Sequence, residues 1–275
     1  MHTVVYNIPV HLVPAYRGRK VLVRSQDPIE LVQALPNGAL ETLVGVQLLS
    51  LTAAVDALAD WGYGVPVDLV MLSPVTEFPL LYRHAKLLDK HPVRVSIPVL
   101  PGLFKAVKVA SALRFTVKLE VGQPDPATVE AMHSVLDFYL HHTSVSQPVE
   151  FFHTSLMSFY NQNPVTLWDV QEENPAYVRY ITDDGRETIA RRPVSVCVIG
   201  DLGSFVADLQ EVLLAERGEC GNCEFLAHCG GYFKWPSKDY GCSGVKTLFH
   251  TLRDAGEALR SDLDTFIAAR KEMEQ

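Results

Sequence analysis

Over its first 196 residues the chain contains no cysteine. That stretch therefore offers no thiolate to any metal centre and no half of a disulfide. Uninterrupted apolar runs of membrane-spanning length are missing too, so no transmembrane helix is expected. Positive charge is in deficit: 24 Lys and Arg stand against 32 Asp and Glu, a formal charge of −8. Such a balance repels phosphate backbones and removes nucleic acid from the expected partners. No phosphate-binding loop or dinucleotide fingerprint occurs, so no nucleotide site is expected. The opening MHTVVYNIPV has no charged n-region, long apolar run or small-residue cleavage site, which makes a cytoplasmic chain with reduced thiols the expectation. Repeats and low-complexity tracts are absent as well.

What is there suffices for a substantial core: 275 residues, 48% of them hydrophobic, in one large or two modest domains. Residues 3–13 and 20–24 read as strands because β-branched residues dominate, with Pro14 to Gly18 as the turn between them. Pro28 to Leu35 reads as a short helix ended by Pro36-Asn37-Gly38. Leu40 to Leu51 is apolar and ambiguous, and Thr52 reads as the N-cap of a helix to Asp60. From residue 66 strand and helix alternate. Strands are expected at 67–72, 93–100, 113–121 and 149–159, with helices at 78–90, 102–110 and 126–139. Repeated βαβ units imply an α/β fold with a parallel sheet, either curled into a partial (β/α) barrel or open and doubly wound.

Ligands of parallel sheets gather at the carboxyl ends of the strands, where this chain has Ser73, Glu77, Pro98, Glu120, Gln123, Ser158, Tyr160 and Asn161. Glu120 interrupts an apolar strand and is read either as a pocket residue or as a strand-end carboxylate facing solvent. His141 and His142 follow an amphipathic helix and fit a C-terminal capping role. His153 reads as a strand residue, either facing a barrel interior or hydrogen-bonded in the core.

The cysteines are concentrated late. Cys220, Cys223, Cys229 and Cys242 fall at C-x2-C-x5-C-x12-C, a metal-site spacing, because C-x2-C sets two sulfurs on one tight loop. Gly230 and Gly231 follow Cys229 directly and permit the backbone to wrap closely. Phe225, Tyr232, Phe233, Trp235 and Tyr240 in the same window supply surface to exclude water. A zinc site remains an alternative, although x5 followed by x12 fits zinc ribbons poorly; disulfides are the third reading. A four-iron–four-sulfur cluster ([4Fe–4S]) on the four cysteines is the leading one. His228 is a candidate substitute ligand or hydrogen-bond donor. Cys197, in the apolar run VSVCVIG, is read as a small buried hydrophobe or a fifth ligand.

The run C-x2-C-x5-C-G-G with a distant cysteine resembles the SPASM domain, the C-terminal iron–sulfur module of radical S-adenosylmethionine enzymes that mature peptides. The turn Ile181-Thr182-Asp183-Asp184-Gly185, the step Ile199-Gly200-Asp201-Leu202 and the helical Phe205 to Leu214 resemble the lead-in to those cysteines. The resemblance implies a partial (β/α) barrel of radical S-adenosylmethionine type over residues 1–175, and a SPASM-like iron–sulfur domain with a C-terminal helix over residues 176–275. It also implies that one of two auxiliary clusters is lost. Phe233 stands where a ligand of that cluster belongs, and Gly185 is followed by RETIARRP rather than by a cysteine. The catalytic C-x3-C-x2-C has no counterpart in the cysteine-free first 196 residues, so cleavage of S-adenosylmethionine by this chain is not expected.

The expected function is that of a catalytically degenerate subunit, carrying one cluster and acting with a partner enzyme or a precursor peptide in peptide or natural-product modification. One alternative is an enzyme in its own right, using the cluster or residues at the mouth of the barrel, although no catalytic residue can be assigned. A zinc-stabilised binding module is the other. After Cys242, Leu248, Leu252, Ala255, Leu259, Leu263 and Ile267 recur at helical spacing, predicting one long helix that either packs on the domain or docks a partner.

Overall fold

A computed structural model describes residues 3–35, 41–189, 201–216 and 218–273. Cys197, Ile199, Gly200 and the Pro36-Asn37-Gly38 helix stop lie outside the described residues.

The chain is an α/β protein built on a nine-stranded, mostly parallel sheet. The strands are β1 (Val5–Pro9), β2 (Lys20–Ser25), β3 (Leu43–Leu48), β4 (Val67–Val70), β5 (Val93–Pro98), β6 (Thr116–Glu120), β7 (Val149–Glu150), β8 (Val178–Ile181) and β9 (Glu187–Thr188). Their order is β7-β6-β5-β4-β3-β2-β1-β8-β9, and β8–β9 is the antiparallel pair. Residue 178 onward is thus continuous with the sheet, because β8 pairs in parallel with β1.

Along each strand the residues alternate between two environments. Val21, Val23, Val46, Leu69, Val95 and Val117 are almost wholly buried in the apolar core. That core is shared with helices α1 (Pro28–Ala34), α2 (Asp56–Ala59), α3 (Pro74–Glu77), α4 (Leu103–Ala112) and α5 (Pro126–His141). Caps fix where these helices begin: Asp27 accepts a hydrogen bond from Ile29 N at 2.8 Å and Asp125 one from Thr128 N at 2.7 Å, each ahead of a proline at the first helical position. The intervening positions are polar. Arg24, Gln47, Asp68 and Arg94 stand in one register row across β2 to β5, and Asn7, Ser96 and Lys118 share their face.

That polar face is concave. Strands β1 and β6 are five steps apart, about 24 Å in a flat sheet at about 4.8 Å per step. Asn7 of β1 and Lys118 of β6 nevertheless line one cavity of about 50 Å3. The sheet therefore curls, in a manner compatible with a partial barrel.

Several local expectations are corrected. The first strand stops at Pro9, and Val10–Tyr16 is a 3-10 helix that carries the chain over to a parallel β2, with the turn itself confined to 16–19. The α2 helix starts at Asp56 and Thr52 does not cap it. Residues 78–89 are helical as expected, in the form of a 3-10 helix. The largest correction is at 149–159: the strand is two residues long, and Phe152–Tyr160 is helix α6. Apolar and aromatic residues there look β-like, but they are held by packing on the last helix, α10 (Ser243–Met273). His153, on α6, bonds the Tyr139 hydroxyl at 2.8 Å, as a hydrogen-bonded histidine and not a strand residue. Ser158, Tyr160 and Asn161 consequently do not lie at a strand end. Glu77 is used locally, accepting from Leu72 N and Ser73 N at 2.6 and 2.8 Å. Glu120 lines the concave cavity instead of facing open solvent.

No helix among the described residues is long and apolar enough to cross a membrane.

Candidate functional site

The cysteine stretch is assembled from short pieces between two long helices. After α7 (Leu167–Val170), the β8–β9 hairpin and α8 (Phe205–Ala215), the chain makes a 3-10 turn over Glu219–Asn222, then α9 (Leu226–Cys229) and a second 3-10 turn over Tyr232–Lys234. Gly230 and Gly231 turn the backbone with φ of 63° and 75°. A Cβ on Gly231 would stand 2.7 Å from Leu213 Cδ1, the tip of a side chain that can shift, so it is the conformation that calls for glycine. Trp168 Nε1 and Gln210 Nε2 both donate to Gly230 O, at 3.0 and 3.1 Å, and hold the turn in place.

This brings Cys220, Cys223, Cys229 and Cys242 onto one small cavity. Its walls are Phe225, Leu226, Phe233, Val245 and Phe249, with Lys234 and Lys246 at its charged side. Phe233 is buried against the rings of Tyr232, Tyr240 and Phe249. His228 is not part of the lining; it stacks on Phe159 at 4.1 Å, with Nδ1 buried and unpaired.

The electrostatics follow from burial. Desolvation pushes the Cys229 thiol up to about 11, against backbone N–H groups of Phe233, Gly231 and Tyr232 that favour its thiolate. Cys242 is pushed up to about 12, by burial first and by the Glu219 carboxylate second. Cys220 is raised by burial as well, and Lys234 acts in the opposite sense. Burial also tends to raise Glu219, but hydrogen bonds from Lys246 at 2.7 Å and Lys234 at 3.1 Å outweigh it and hold that carboxyl at about 2. Glu219 also accepts from Cys242 N at 3.3 Å, which ties the distant cysteine to the 3-10 turn carrying Cys220.

The four thiols share a cavity without forming a tight single-ion cage. Among the described residues no group of three or more His, Cys, Asp or Glu side chains is placed to hold a metal ion. The donor set still suits a larger thiolate-bound centre in kind and number: four sulfurs, three backbone amides aimed at one of them, two lysines and aromatic walls.

The stretch is docked on the carboxyl end of β6. Gln123 Nε2 donates to Phe233 O and Ser237 O at 2.9 and 2.6 Å, Tyr232 Oη donates to Val121 O at 2.8 Å, and Tyr240 Oη donates to Pro124 O at 2.7 Å. Gln123, expected at a strand end, is therefore a clamp on the cysteine turn.

Sequence reasoning missed the concave charge network. Asn7 donates to Gln47 and Gln47 to Asp68, both at 2.8 Å; Arg94 bridges Asp68 at 3.0 Å and Glu172 at 2.6 Å; Lys118 reaches Glu172 at 3.0 Å and Gln171 O at 2.8 Å. Burial raises the Asp68 and Glu172 carboxyls, but Arg94 and Lys118 prevail, so Asp68 lies below its usual range and Glu172 at about 2. The signal available was a polar residue at every second strand position, as in Thr116-Val-Lys118-Leu-Glu120.

No protein-family model, curated protein or solved structure matches the chain.

Proposed function

We propose that this chain is an iron–sulfur subunit in the service of another enzyme. In this reading Cys220, Cys223, Cys229 and Cys242 hold one [4Fe–4S] cluster, and the protein assists a partner enzyme in modifying a peptide or related natural product, by electron transfer or by positioning the peptide. The observation that carries the reading is the arrival of all four spaced cysteines on one aromatic-walled cavity, with two lysines beside it.

When bound, a cluster supplies a one-electron centre. The chain's own residues do the rest: backbone amides at 231–233 donate to Cys229, Lys234 and Lys246 offset negative charge, and Phe225, Phe233 and Phe249 exclude water.

The likeness of the cysteine run to SPASM domains, the division at residues 175/176 and a partial barrel of radical S-adenosylmethionine type belong to the same proposal.

Two assays test it. Reduced protein incubated anaerobically with S-adenosylmethionine should release no 5′-deoxyadenosine, and co-expression with enzymes encoded beside it should give a complex on size exclusion. A monomer that modifies a peptide unaided would overturn the subunit reading.

A further inference from the structure

The sheet has a second, much larger opening at its other end. A pocket of about 500 Å3 lies where β3 to β6 begin, remote from the strand ends that carry the cysteine turn, and its volume is that of a small-molecule site. One side is apolar, formed by Leu22, Val44, Val46, Pro66, Leu88 and Pro92. The other is polar and clusters at β6 and its neighbour β7, with Arg114 and Thr116 at the start of one and Gln147 just before the other.

The lining carries two arginines and two carboxylates, and they are not equally engaged. Asp68, Arg94 and Glu172 are tied to one another, and Lys118 supports Glu172 from the concave side, so these four sum to zero. Arg114 adds an exposed guanidinium that makes no side-chain hydrogen bond or ion pair among the described residues. Arg114 is thus the cation of this lining that no carboxylate engages among the described residues.

Two helix ends meet at the same place. Arg114 and Glu172, with φ of 64° and 58°, are the left-handed residues that close α4 and α7, where Phe115 N bonds Ala110 O and Glu173 N bonds Trp168 O.

We propose that this pocket binds a small organic monocarboxylate with an apolar body. Arg114 takes the carboxylate, with Thr116 and Gln147 as neutral hydrogen-bonding partners, and the body lies along Val44, Pro66, Leu88 and Pro92. A dianion or phosphate ester is disfavoured, since Asp68 and Glu172 stand in the same lining. The site does not depend on the cysteine cavity, and its test is independent of iron content.

Isothermal titration calorimetry on the purified chain, with octanoate, 4-phenylbutyrate and N-acetylleucine as probes and octanamide as the neutral control, decides the matter. At least one carboxylate should bind saturably at one site per chain, and its affinity should fall tenfold or more in Arg114→Gly, a residue that adopts the left-handed backbone freely. Val44→Glu, at a half-exposed wall position, should produce a comparable loss, and both variants should keep the wild-type melting curve. Octanamide should bind at least tenfold more weakly than octanoate if octanoate is a ligand. Absence of saturable binding by all three carboxylates, or unchanged affinity in Arg114→Gly, overturns the proposal.

Discussion

The concave face of the sheet and the cysteine cavity are both buried and both rich in chemistry, yet they are finished in opposite ways. On the concave face Asp68 and Glu172 meet bases: they are held by Arg94 and Lys118, with Asn7, Gln47 and Ser96 completing the bonds. In the cysteine cavity Lys234 and Lys246 are paired with Glu219, but the four thiols are free, burial drives Cys229 and Cys242 towards the neutral form, and backbone amides around Cys229 favour its anion. A charge network closed on itself stabilises a shape. A ring of thiols among amides and lysines is suited to something the chain does not itself provide. The comparison teaches that polarity alone does not mark the working site; what matters is whether the polar groups are already used up.

The sharpest way to break this contrast is to unbalance the concave face. Arg94→Met leaves Asp68 without its guanidinium and should cost about 3 kcal/mol or more of folding stability in urea titrations, as for other buried pairs that lose one member. A change below about 1 kcal/mol would mean that the network is ornamental.

Acid should act in the same direction more gently. The folded-state pKa values of Asp68 and Glu172 lie below their unfolded ones, so their contribution is complete above the unfolded values and is lost as pH falls, for Glu172 towards about 2. Urea midpoints measured from pH 7 down to pH 2.5 should drop less steeply in Glu172→Gln than in the native chain. Parallel curves would remove Glu172 from the account.

At the cysteine cavity a smaller effect is expected on the metal-free chain. Cys242→Ser should change its stability by about 1 kcal/mol or less, because the thiol makes only a long hydrogen bond, to Tyr240 O at 3.8 Å, which a hydroxyl can replace. The same substitution should abolish iron uptake, and an unchanged iron content would refute Cys242 as the fourth ligand.

The smallest effect belongs to the end of α10. Leu248, Phe249 and Leu252 are buried, whereas Leu259, Leu263, Phe266 and Ile267 are exposed. Ending the chain after Ser261 should therefore alter stability by no more than about 0.5 kcal/mol. A larger loss, read by thermal melting, would show that this half of the helix is packed in solution.

The sequence made the α/β alternation legible because β-branched runs and capped, proline-led helices such as 126–141 carry local signals that packing did not override. It misled where packing did override them, at α6, whose aromatics look β-like until α10 lies against them. The four cysteines were legible from spacing alone. Glu219, Lys234 and Lys246 were not, since what links them is a fold that brings residues 219, 234 and 246 together across three separate elements. The concave network was hidden for a related reason: Arg94 and Glu172 are 78 residues apart and meet because the turn that ends α7 returns to β5.

The central claim is that the cysteine cavity holds a single iron–sulfur cluster. Anaerobic reconstitution with iron and sulfide, followed by metal and acid-labile sulfide analysis and electron paramagnetic resonance of the reduced protein, tests it most directly. The account predicts about four irons and four sulfides per chain with a reduced-cluster signal. Stoichiometric zinc without iron, or protein that takes up neither, would contradict it.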